Sequence, residues 1–332
     1  MGKNERLIVV GASSGGLVAL RTLCATLPAD FPAPILVVMH VGGRTSMLPA
    51  ILSGSSAISV RHAVDNELIR QGTVLVAPPD HHLLVEGDRV RLFRGPKENH
   101  ARPAIDPLFR SAAIEHRAKV IGVILTGNLD DGVIGLQAVK SHGGIALVQD
   151  PLEAEAPSMP RNALDYVDVD YCLPLSEIGT VLTALVRQPP RQTIDDVSSR
   201  LRQIFIMENQ FASGNTTATS EEVLDRLGTR STQTCPECGG TLWEFTESVP
   251  TRFRCHTGHA FTTQSLLDVR NRRSEDALWS AVRALHEKHS LLKRSANEAR
   301  RRGADDAANE HEAAATMAAQ HADALRDMIK AL

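Results

Sequence analysis

The chain lacks a hydrophobic run long enough to cross a membrane. Its N-terminus leads into only four apolar residues, 7–10, which are too few for a signal peptide. Later apolar runs also fall short of the roughly 20 residues that a transmembrane helix needs. We therefore predict no membrane insertion and a cytoplasmic location.

The sequence also has little net charge and few cysteines. Its 36 basic and 39 acidic residues leave a net charge of −3, which argues against a protein that binds nucleic acid through charge. Three of the five cysteines, Cys235, Cys238 and Cys255, lie late in the chain, a distribution that favours metal binding over a disulfide framework. The 332 residues are 42% hydrophobic, enough for one large globular domain and a smaller one.

Short apolar runs alternate with amphipathic stretches from residue 7 to about residue 187. This pattern predicts an α/β fold, with a doubly wound, mostly parallel sheet that carries helices on both faces. The predicted strands are 7–10, 35–39, 73–77, 120–125 and 145–148. The predicted helices are 16–26, 46–52, 106–116, 132–141 and 161–166.

The first predicted strand runs into Gly11-Ala12-Ser13-Ser14-Gly15, which fits the G-x-S-x-G nucleophile elbow. Its glycines permit a tight strand-to-helix turn that exposes one hydroxyl, so Ser13 is the first candidate nucleophile. Amides at the start of the following helix would face an anion formed there. An ordinary glycine-rich turn that cradles phosphate is the alternative interpretation, although the spacing disfavours a dinucleotide site.

Two further chemical groups follow predicted strands. His40 comes directly after the second strand, and the fourth strand leads into a loop that contains Asp130 and Asp131. In open α/β sheets, functional groups gather at the carboxyl ends of the strands, beside the point where strand order reverses. A hydroxyl, an imidazole and a carboxylate could meet there as nucleophile, base and orienting acid. One aspartate could orient His40 while the other caps the next helix.

Several separate stretches, in the same order, resemble the catalytic domain of CheB, the protein-glutamate methylesterase of bacterial chemotaxis. The resemblance covers residues 7 to about 187. The matching stretches are VGASSGG (10–16), VMH (38–40), APPDHHL (77–83), RPAIDPLFRSAA (102–113), LTGNLDDG (125–132) and MPRNA (159–163).

The resemblance implies a serine hydrolase that removes methyl esters from glutamate side chains on the cytoplasmic helices of chemoreceptors, or from another methylated signalling protein. It implies Ser13 as the nucleophile, His40 as the base and Asp131 as the acid, with no cofactor for catalysis. It also implies that Ser14, His82 and Met159 line the cleft. Two other functions remain open: a protein-glutamine deamidase with the same triad, and a non-catalytic scaffold that binds receptors or a kinase.

This chain departs from the family in two ways. The familiar CheB has an N-terminal receiver domain, whereas the first catalytic strand begins here at Leu7, so we expect no phosphorylation-dependent control within this chain. The family loop usually reads Gly-Met-Gly, whereas this chain has Gly127, Asn128 and Leu129. We expect a backbone oxyanion donor to be retained and the contacts of the methionine side chain to be lost.

A metal site is predicted near the C-terminus. Cys235 and Cys238 form a C-x-x-C pair that can reach one tetrahedral ion. The number of residues between Cys238 and Cys255 in the sequence is typical of a zinc ribbon. His256 or His259 completes four ligands, and we favour His259 because the intervening Gly258 lets the chain turn back. Four ligands predict a structural zinc ion. Aromatic side chains are expected to form the small core of the ribbon, namely Trp243, Phe245, Phe253 and Phe261.

The rest of the chain reads as helical. One helix is predicted to begin at about Thr193, which would be its N-cap. Two more helices are predicted after residue 263, and they form either a hairpin or a homodimer interface. Their predicted contact stripes are Leu278, Val282, Leu285 and Leu292 on the first helix, and Ala314, Met317, His321, Leu325 and Met328 on the second. The predicted domains are a methylesterase-like domain (1–189), a helical linker (190–232), a zinc-ribbon-like module (233–262) and a helical hairpin (263–332).

Overall fold

The computed structural model describes residues 5–41, 45–190, 198–215, 221–246 and 249–331. In chain order, the strands are β1 (Leu7–Ala12), β2 (Ile35–Met39), β3 (Ser59–His62), β4 (Thr73–Val76), β5 (His82–Glu86), β6 (Arg89–Phe93), β7 (Val120–Ile124), β8 (Ile145–Gln149), β9 (Tyr171–Leu173), β10 (Thr229–Thr234), β11 (Thr241–Phe245), β12 (Arg252–Cys255) and β13 (Ala260–Thr262). The α-helices are α1 (Gly16–Thr26), α2 (Leu48–Ser53), α3 (Ile105–His116), α4 (Val133–Ser141), α5 (Ser158–Tyr166), α6 (Leu175–Leu185), α7 (Ser199–Ala212), α8 (Glu221–Leu227), α9 (Thr263–Arg301) and α10 (Asp305–Lys330). Among these described helices, none combines the length and the apolar character needed to cross a membrane.

The main sheet has the strand order β3-β4-β2-β1-β7-β8-β9, and each neighbouring pair is parallel. Strand β1 lies in the middle, with β2 on one side and β7 on the other. The chain first builds the sheet outward from β1 in one direction and then returns to extend it in the other, so the strand order reverses beside β1. The predicted doubly wound α/β fold is confirmed.

The two faces of the sheet bury separate apolar layers. Successive side chains of a strand point to opposite faces, so Leu7 and Val9 belong to one layer, while Ile8 and Val10 belong to the other. Helices α3, α4 and α5 contribute to the first layer, and α1, α2 and α6 contribute to the second. The sheet is therefore covered by helices on both sides, as the sequence pattern predicts.

Some elements of this layer structure were not predicted. Strand β3 reads Ser-Val-Arg-His and lies at one edge of the sheet, while β9 has only three residues and lies at the other edge. Edge strands are buried on fewer sides than central ones, so they do not need the continuous apolar run that identifies β1 or β2. The predicted list also omitted α6. Outside the sheet, β5 and β6 pair as an antiparallel hairpin.

A second, antiparallel sheet follows, with the order β10-β11-β12-β13. Phe253 and Phe261 pack with Leu242, Cys235 and Cys255 in one small core. Trp243 and Phe245 do not join that core, because alternate residues of β11 face opposite ways. They pack instead against α7 and α8, so the expectation that all four aromatic residues share the ribbon core is wrong.

The predicted cap Thr193 lies outside the described residues. Within them, Ser198 caps α7 and its hydroxyl accepts a hydrogen bond from the Leu201 amide. The residues Met1–Leu266 form one compact unit, and Leu267–Leu332 form another. The division into four domains stays a prediction.

In the second unit, α9 and α10 form a helical hairpin, as one of the predicted alternatives states. The Ala315 carbonyl lies 2.9 Å from His289 Nδ1. Val282 of the first predicted stripe is buried, but Met317, His321 and Met328 of the second are exposed. The buried face of α10 is made instead by small side chains, which let two helices approach closely, namely Ala308, Ala315, Ala318 and Ala322.

A buried ion cluster joins the antiparallel sheet to the main fold. Arg110 of α3 donates two hydrogen bonds, of 3.1 and 3.2 Å, to Glu98, and Arg254 of β12 donates a third of 3.0 Å. Glu208 of α7 accepts a 2.6 Å hydrogen bond from Arg252. Burial alone would raise the pKa of Glu98, but the two arginines outweigh it and lower that pKa to about 2. Glu98 is therefore a charged group whose partners come from distant parts of the chain.

We predict that Glu98→Ala strongly destabilises the protein. The substitution removes the carboxylate to which the buried Arg110 and Arg254 guanidiniums both donate, and leaves them the more distant Glu208 carboxylate at 3.4 and 3.6 Å. Breaking a buried pair in this way costs about 3–5 kcal/mol. Urea unfolding followed by circular dichroism measures the loss. The control is Glu86→Ala, whose carboxylate is half exposed and pairs with Arg91, with an expected loss below about 1 kcal/mol. Equal losses for the two variants would contradict the prediction.

Candidate active site

Three predicted side chains meet where strand order reverses. Ser13 follows β1, His40 follows β2, and Asp131 lies in the loop after β7. The backbone holds these strand ends in register, because the Ser13 amide donates to the Thr126 carbonyl at 3.0 Å and the His40 amide donates to the Ala12 carbonyl at 3.1 Å. The carboxyl edge of the sheet thus brings the three groups together.

The three side chains form one chain of hydrogen bonds. The Ser13 Oγ to His40 Nδ1 distance is 3.1 Å, and the His40 Nε2 to Asp131 Oδ2 distance is 2.7 Å. A carboxylate only accepts hydrogen bonds, so Nε2 carries the proton and Nδ1 presents a lone pair to the hydroxyl. The His40 side chain is 23% exposed, whereas Asp131 is 2% exposed. The arrangement is that of a serine nucleophile with an oriented general base.

Both oxygens of Asp131 are held. Oδ2 accepts from the Ile105 amide at 2.7 Å as well as from His40, while Oδ1 accepts from the Asn99 side chain at 3.2 Å and from the Asp106 amide at 3.3 Å. Burial alone would raise the pKa of Asp131, but these hydrogen bonds and the neighbouring imidazole keep it below its ordinary value. Asp131 is therefore an ionised carboxylate that faces His40.

The helix after this loop is capped by a residue that was not predicted to cap it. Asp106 Oδ1 accepts hydrogen bonds from the Gly132 and Gly135 amides at 3.1 and 2.7 Å, at the start of α4. The expectation that Asp130 or Asp131 caps this helix is therefore wrong. Burial and the negative charge of Asp131 raise the pKa of Asp106 well above its ordinary value.

Close packing fixes the nucleophile. A Cβ on Gly127 would lie 2.5 Å from Met159 Cε and 2.9 Å from Ser13 Cβ. The next residues of the loop include Leu129, whose positive φ of 63° is unusual for a bulky side chain. Its carbonyl accepts a 2.7 Å hydrogen bond from Asn162. The loop is thus held in a strained conformation beside Ser13.

The three residues expected to line the cleft lie in different environments. Ser14 is exposed, and its Oγ accepts a 3.0 Å hydrogen bond from Asn128. Met159 is buried and packs against Gly127, directly beside the nucleophile. His82 is fully buried, with Nε2 2.9 Å from the Pro96 carbonyl and Nδ1 accepting from the Ala104 amide. His82 therefore lies inside the fold and does not face an open cleft.

The predicted metal ligands also come together. Ligand atoms of Cys235, Cys238, Cys255 and His259 all lie within 4.8 Å of one another. His259 Nδ1 is 3.7 Å from Cys235 Sγ and 3.5 Å from Cys255 Sγ, and the Cys238 and Cys255 sulfurs are 3.6 Å apart. The cluster includes His259 and not His256, and it is close enough to hold a metal ion.

Sequence reasoning missed the residues that support the acid. The Asn99 side chain donates to Asp131, and the Asp106 carboxylate accepts from the Gly132 amide just before α4. The Thr262 hydroxyl donates a 2.8 Å hydrogen bond to Asp130. Burial raises the pKa of Asp130 to about 6. Asp106 lies within the stretch 102–113 that resembles the CheB family, so the sequence did draw attention to its position. Thr262 lies 132 residues from Asp130, and nothing in the sequence indicated their contact.

We predict that Gly127→Ala slows the reaction of Ser13 with a fluorophosphonate probe by at least about tenfold. The added methyl would push against Met159 and Ser13 and so displace the nucleophile from His40, and misplaced reacting groups lose rate steeply. Labelling rates measured by mass spectrometry check this. The control is Gly54→Ala, whose Cβ would meet only an ordinary 3.5 Å contact. A Gly127→Ala variant that labels as fast as the control would contradict the prediction.

Comparisons with known proteins relate the chain to one family. The family model described as CheB methylesterase matches residues 8–182. A Leptospira interrogans protein, named as a candidate protein-glutamate methylesterase/protein-glutamine glutaminase, is 44% identical over 184 residues, covering 55% of this chain and 95% of that protein. Protein-glutamate methylesterase/protein-glutamine glutaminase 2 of Anaeromyxobacter dehalogenans is 40% identical, covering 54% of this chain and 53% of that protein.

A solved structure is similar to about half of the chain. The crystal structure of the Thermotoga maritima CheB methylesterase catalytic domain aligns with a TM-score of 0.53 and 35% identity, covering 55% of this chain and 98% of that one. The region matched by the family model, residues 8–182, contains Ser13, His40 and Asp131, and it ends before the antiparallel sheet. On the family match, the fold and these relatives, the chain belongs to the CheB methylesterase family.

Proposed function

We propose that this protein is a protein-glutamate methylesterase, a carboxylic-ester hydrolase in which Ser13, His40 and Asp131 form the catalytic triad. The observation that carries the proposal is the hydrogen-bonded chain from the Ser13 hydroxyl through His40 to the buried Asp131 carboxylate. Family membership and the names of the relatives support the same activity.

The geometry gives each residue a step in the reaction. His40 Nδ1 takes the Ser13 proton as Oγ attacks the ester carbonyl, and the Asp131 carboxylate stabilises the imidazolium that forms. Helix α1 begins at Gly16, three residues after Ser13, so the partial positive charge of its N-terminus favours the developing oxyanion. His40 then gives its proton to the departing methanol. Water, activated by the same imidazole, hydrolyses the acyl-enzyme and leaves a glutamate carboxylate.

The substrate we propose is a methylated glutamate side chain on the cytoplasmic helices of a chemoreceptor, or on another methylated signalling protein. Ser13 is half-buried and Ser14 beside it is exposed, so an ester on the surface of another protein can approach the nucleophile. A substrate of this kind places the enzyme in the cytoplasm.

A second candidate activity is deamidation of protein glutamine by the same triad. The relatives are named for both activities, and the chemistry differs only in the leaving group, which is ammonia in place of methanol. Both reactions pass through the same acyl-enzyme on Ser13, so one variant series tests both.

We also propose that the Cys/His cluster holds a structural zinc ion. Zinc–sulfur bonds of about 2.3 Å place two ligand atoms of a tetrahedral site about 3.8 Å apart, close to the 3.5–3.7 Å separations in this cluster. Three thiolates and one imidazole fill the four positions of a tetrahedral ion. Such a site has no open position for substrate, so the metal would stabilise the antiparallel sheet.

We predict that Ser13→Ala lowers methanol release from a methylated chemoreceptor cytoplasmic fragment by at least about a thousandfold, because the attacking oxygen is lost. Ser53→Ala serves as the matched control and should stay within about threefold of the unmodified protein, because the exposed Ser53 ends α2 and its Oγ donates to the Val60 carbonyl. Methanol and ammonia are measured in the same samples. Ammonia release without methanol would favour the deamidase, and unchanged methanol release by Ser13→Ala would contradict the assignment of the nucleophile.

We predict about one zinc ion per chain in the purified protein and a large loss of bound zinc in Cys238→Ser, because removal of one thiolate leaves an incomplete tetrahedral site. Mass spectrometry of the metal content gives the stoichiometry. The control is Cys172→Ser, since this exposed cysteine lies outside the cluster. Equal zinc content in the two variants would contradict the assignment.

A further inference from the structure

The loop before α3 lies between the catalytic acid and the antiparallel sheet. The Asn99 amide donates to the Ala260 carbonyl at 2.9 Å, and the Ala260 amide donates to the Lys97 carbonyl at 3.3 Å. Glu98 thereby forms a parallel bridge with Ala260 of β13. The His100 ring lies 4.9 Å from the ring of Phe261. This loop is therefore attached to the sheet by its backbone as well as by its side chains.

The Asn99 side chain spans the gap between the two parts. Its Nδ2 donates to Asp131 Oδ1 and to Asp106 Oδ2, both at 3.2 Å. Its Oδ1 accepts from the Thr262 amide at 3.2 Å and from Ser265 Oγ at 3.0 Å. The orientation of the amide is fixed by chemistry, because a backbone amide only donates and a carboxylate only accepts. Asn99 thus uses both donors and both acceptor positions.

The partners of Asn99 are themselves held in a tight turn. The Ser265 amide donates to Thr262 Oγ1 at 3.1 Å, and the Thr262 amide donates to Ser265 Oγ at 2.9 Å. This reciprocal pair has the form of a capping box at the start of α9. The Thr262 hydroxyl proton then remains for Asp130. The turn presents one hydroxyl to Asn99 and another to the loop of the catalytic acid.

We infer that Asn99 is a positioning residue for Asp131, and that the Thr262–Ser265 turn completes the support of the triad from outside the region that matches the family. The inference rests on the proposed function of Ser13, His40 and Asp131. Without Asn99, Asp131 Oδ1 keeps only a 3.3 Å hydrogen bond from the Asp106 amide. The Ile105 amide and His40 still hold Oδ2, but the plane of the carboxylate, and with it the orientation of His40, is less firmly fixed. The antiparallel sheet is accordingly part of the working active site.

The test uses two variants in the full-length protein. Asn99→Gly removes the amide without strain, because the φ of 48° at this position suits glycine. Ser265→Ala removes one of the two donors to Asn99 Oδ1 on the other side of the gap and leaves the Thr262 amide. The matched control is Thr263→Ala, in which the next hydroxyl along the chain is exposed and bonds only to the Thr251 carbonyl.

We expect Asn99→Gly and Ser265→Ala to lower kcat for methanol release by about tenfold or more, with KM within about twofold of the unmodified protein. Bound zinc should stay at the level of the control, which shows that the antiparallel sheet is still folded. The downfield NMR signal of the His40 Nε2 proton, identified by its absence in His40→Gln, should broaden or vanish in both variants and persist in Thr263→Ala.

Other outcomes would overturn the inference. If kcat and the His40 proton signal are unchanged in Asn99→Gly and Ser265→Ala, Asn99 does not position the acid. If kcat falls only in proportion to a loss of bound zinc, the role of these residues is purely structural. If the unmodified protein releases no methanol, the proposed function fails, and the His40 proton signal alone then decides whether Asn99 orients Asp131.

Discussion

The buried carboxylate of Asp131 is the group on which the proposed active site depends. Burying a charge is costly unless hydrogen bonds replace its water, and Asp131 accepts them at both oxygens. Its donors come from the end of β2, the start of α3 and the loop before α3. The site is therefore complete only when the strand order, the helix and the loop are all formed, which ties the chemistry to the folding of the whole sheet.

The same loop carries a second buried charge, Glu98, adjacent to Asn99. Its partners Arg110 and Arg254 come from opposite sides of the contact between the two sheets. Buried ion pairs of this kind add little net stability compared with apolar packing, but a mismatched arrangement leaves an uncompensated charge. The ion cluster therefore favours one register between β12 and α3. That register also brings Thr262 to Asp130 and Asn99 to Asp131.

Much of the main sheet could be predicted because its central strands are continuous apolar runs. Ser13 and His40 could be singled out because each directly follows such a strand. Asp131 lies farther along the loop after β7, and its choice over Asp130 rested on the resemblance to the CheB family. The edge strands β3 and β9 could not, since a short, partly polar strand has no distinctive pattern. The roles of Trp243 and Phe245 depend on which face of β11 meets α7, and the sequence does not state this. The hydrogen bond from Thr262 to Asn99 joins residues 163 positions apart, so local spacing could not indicate it.

The Cys/His cluster and the active site are connected by a short stretch of backbone. Cys255 ends β12 and His259 directly precedes β13, so an ion held by both would fix the turn between these two strands. Thr262 is the last residue of β13 and pairs with Arg252 of β12. The turn that the metal would fix thus sets the position of the residue that bonds to Asn99 and Asp130. A metal with four protein ligands has no open position for chemistry, so a bound ion would act on the proposed active site by fixing this hairpin.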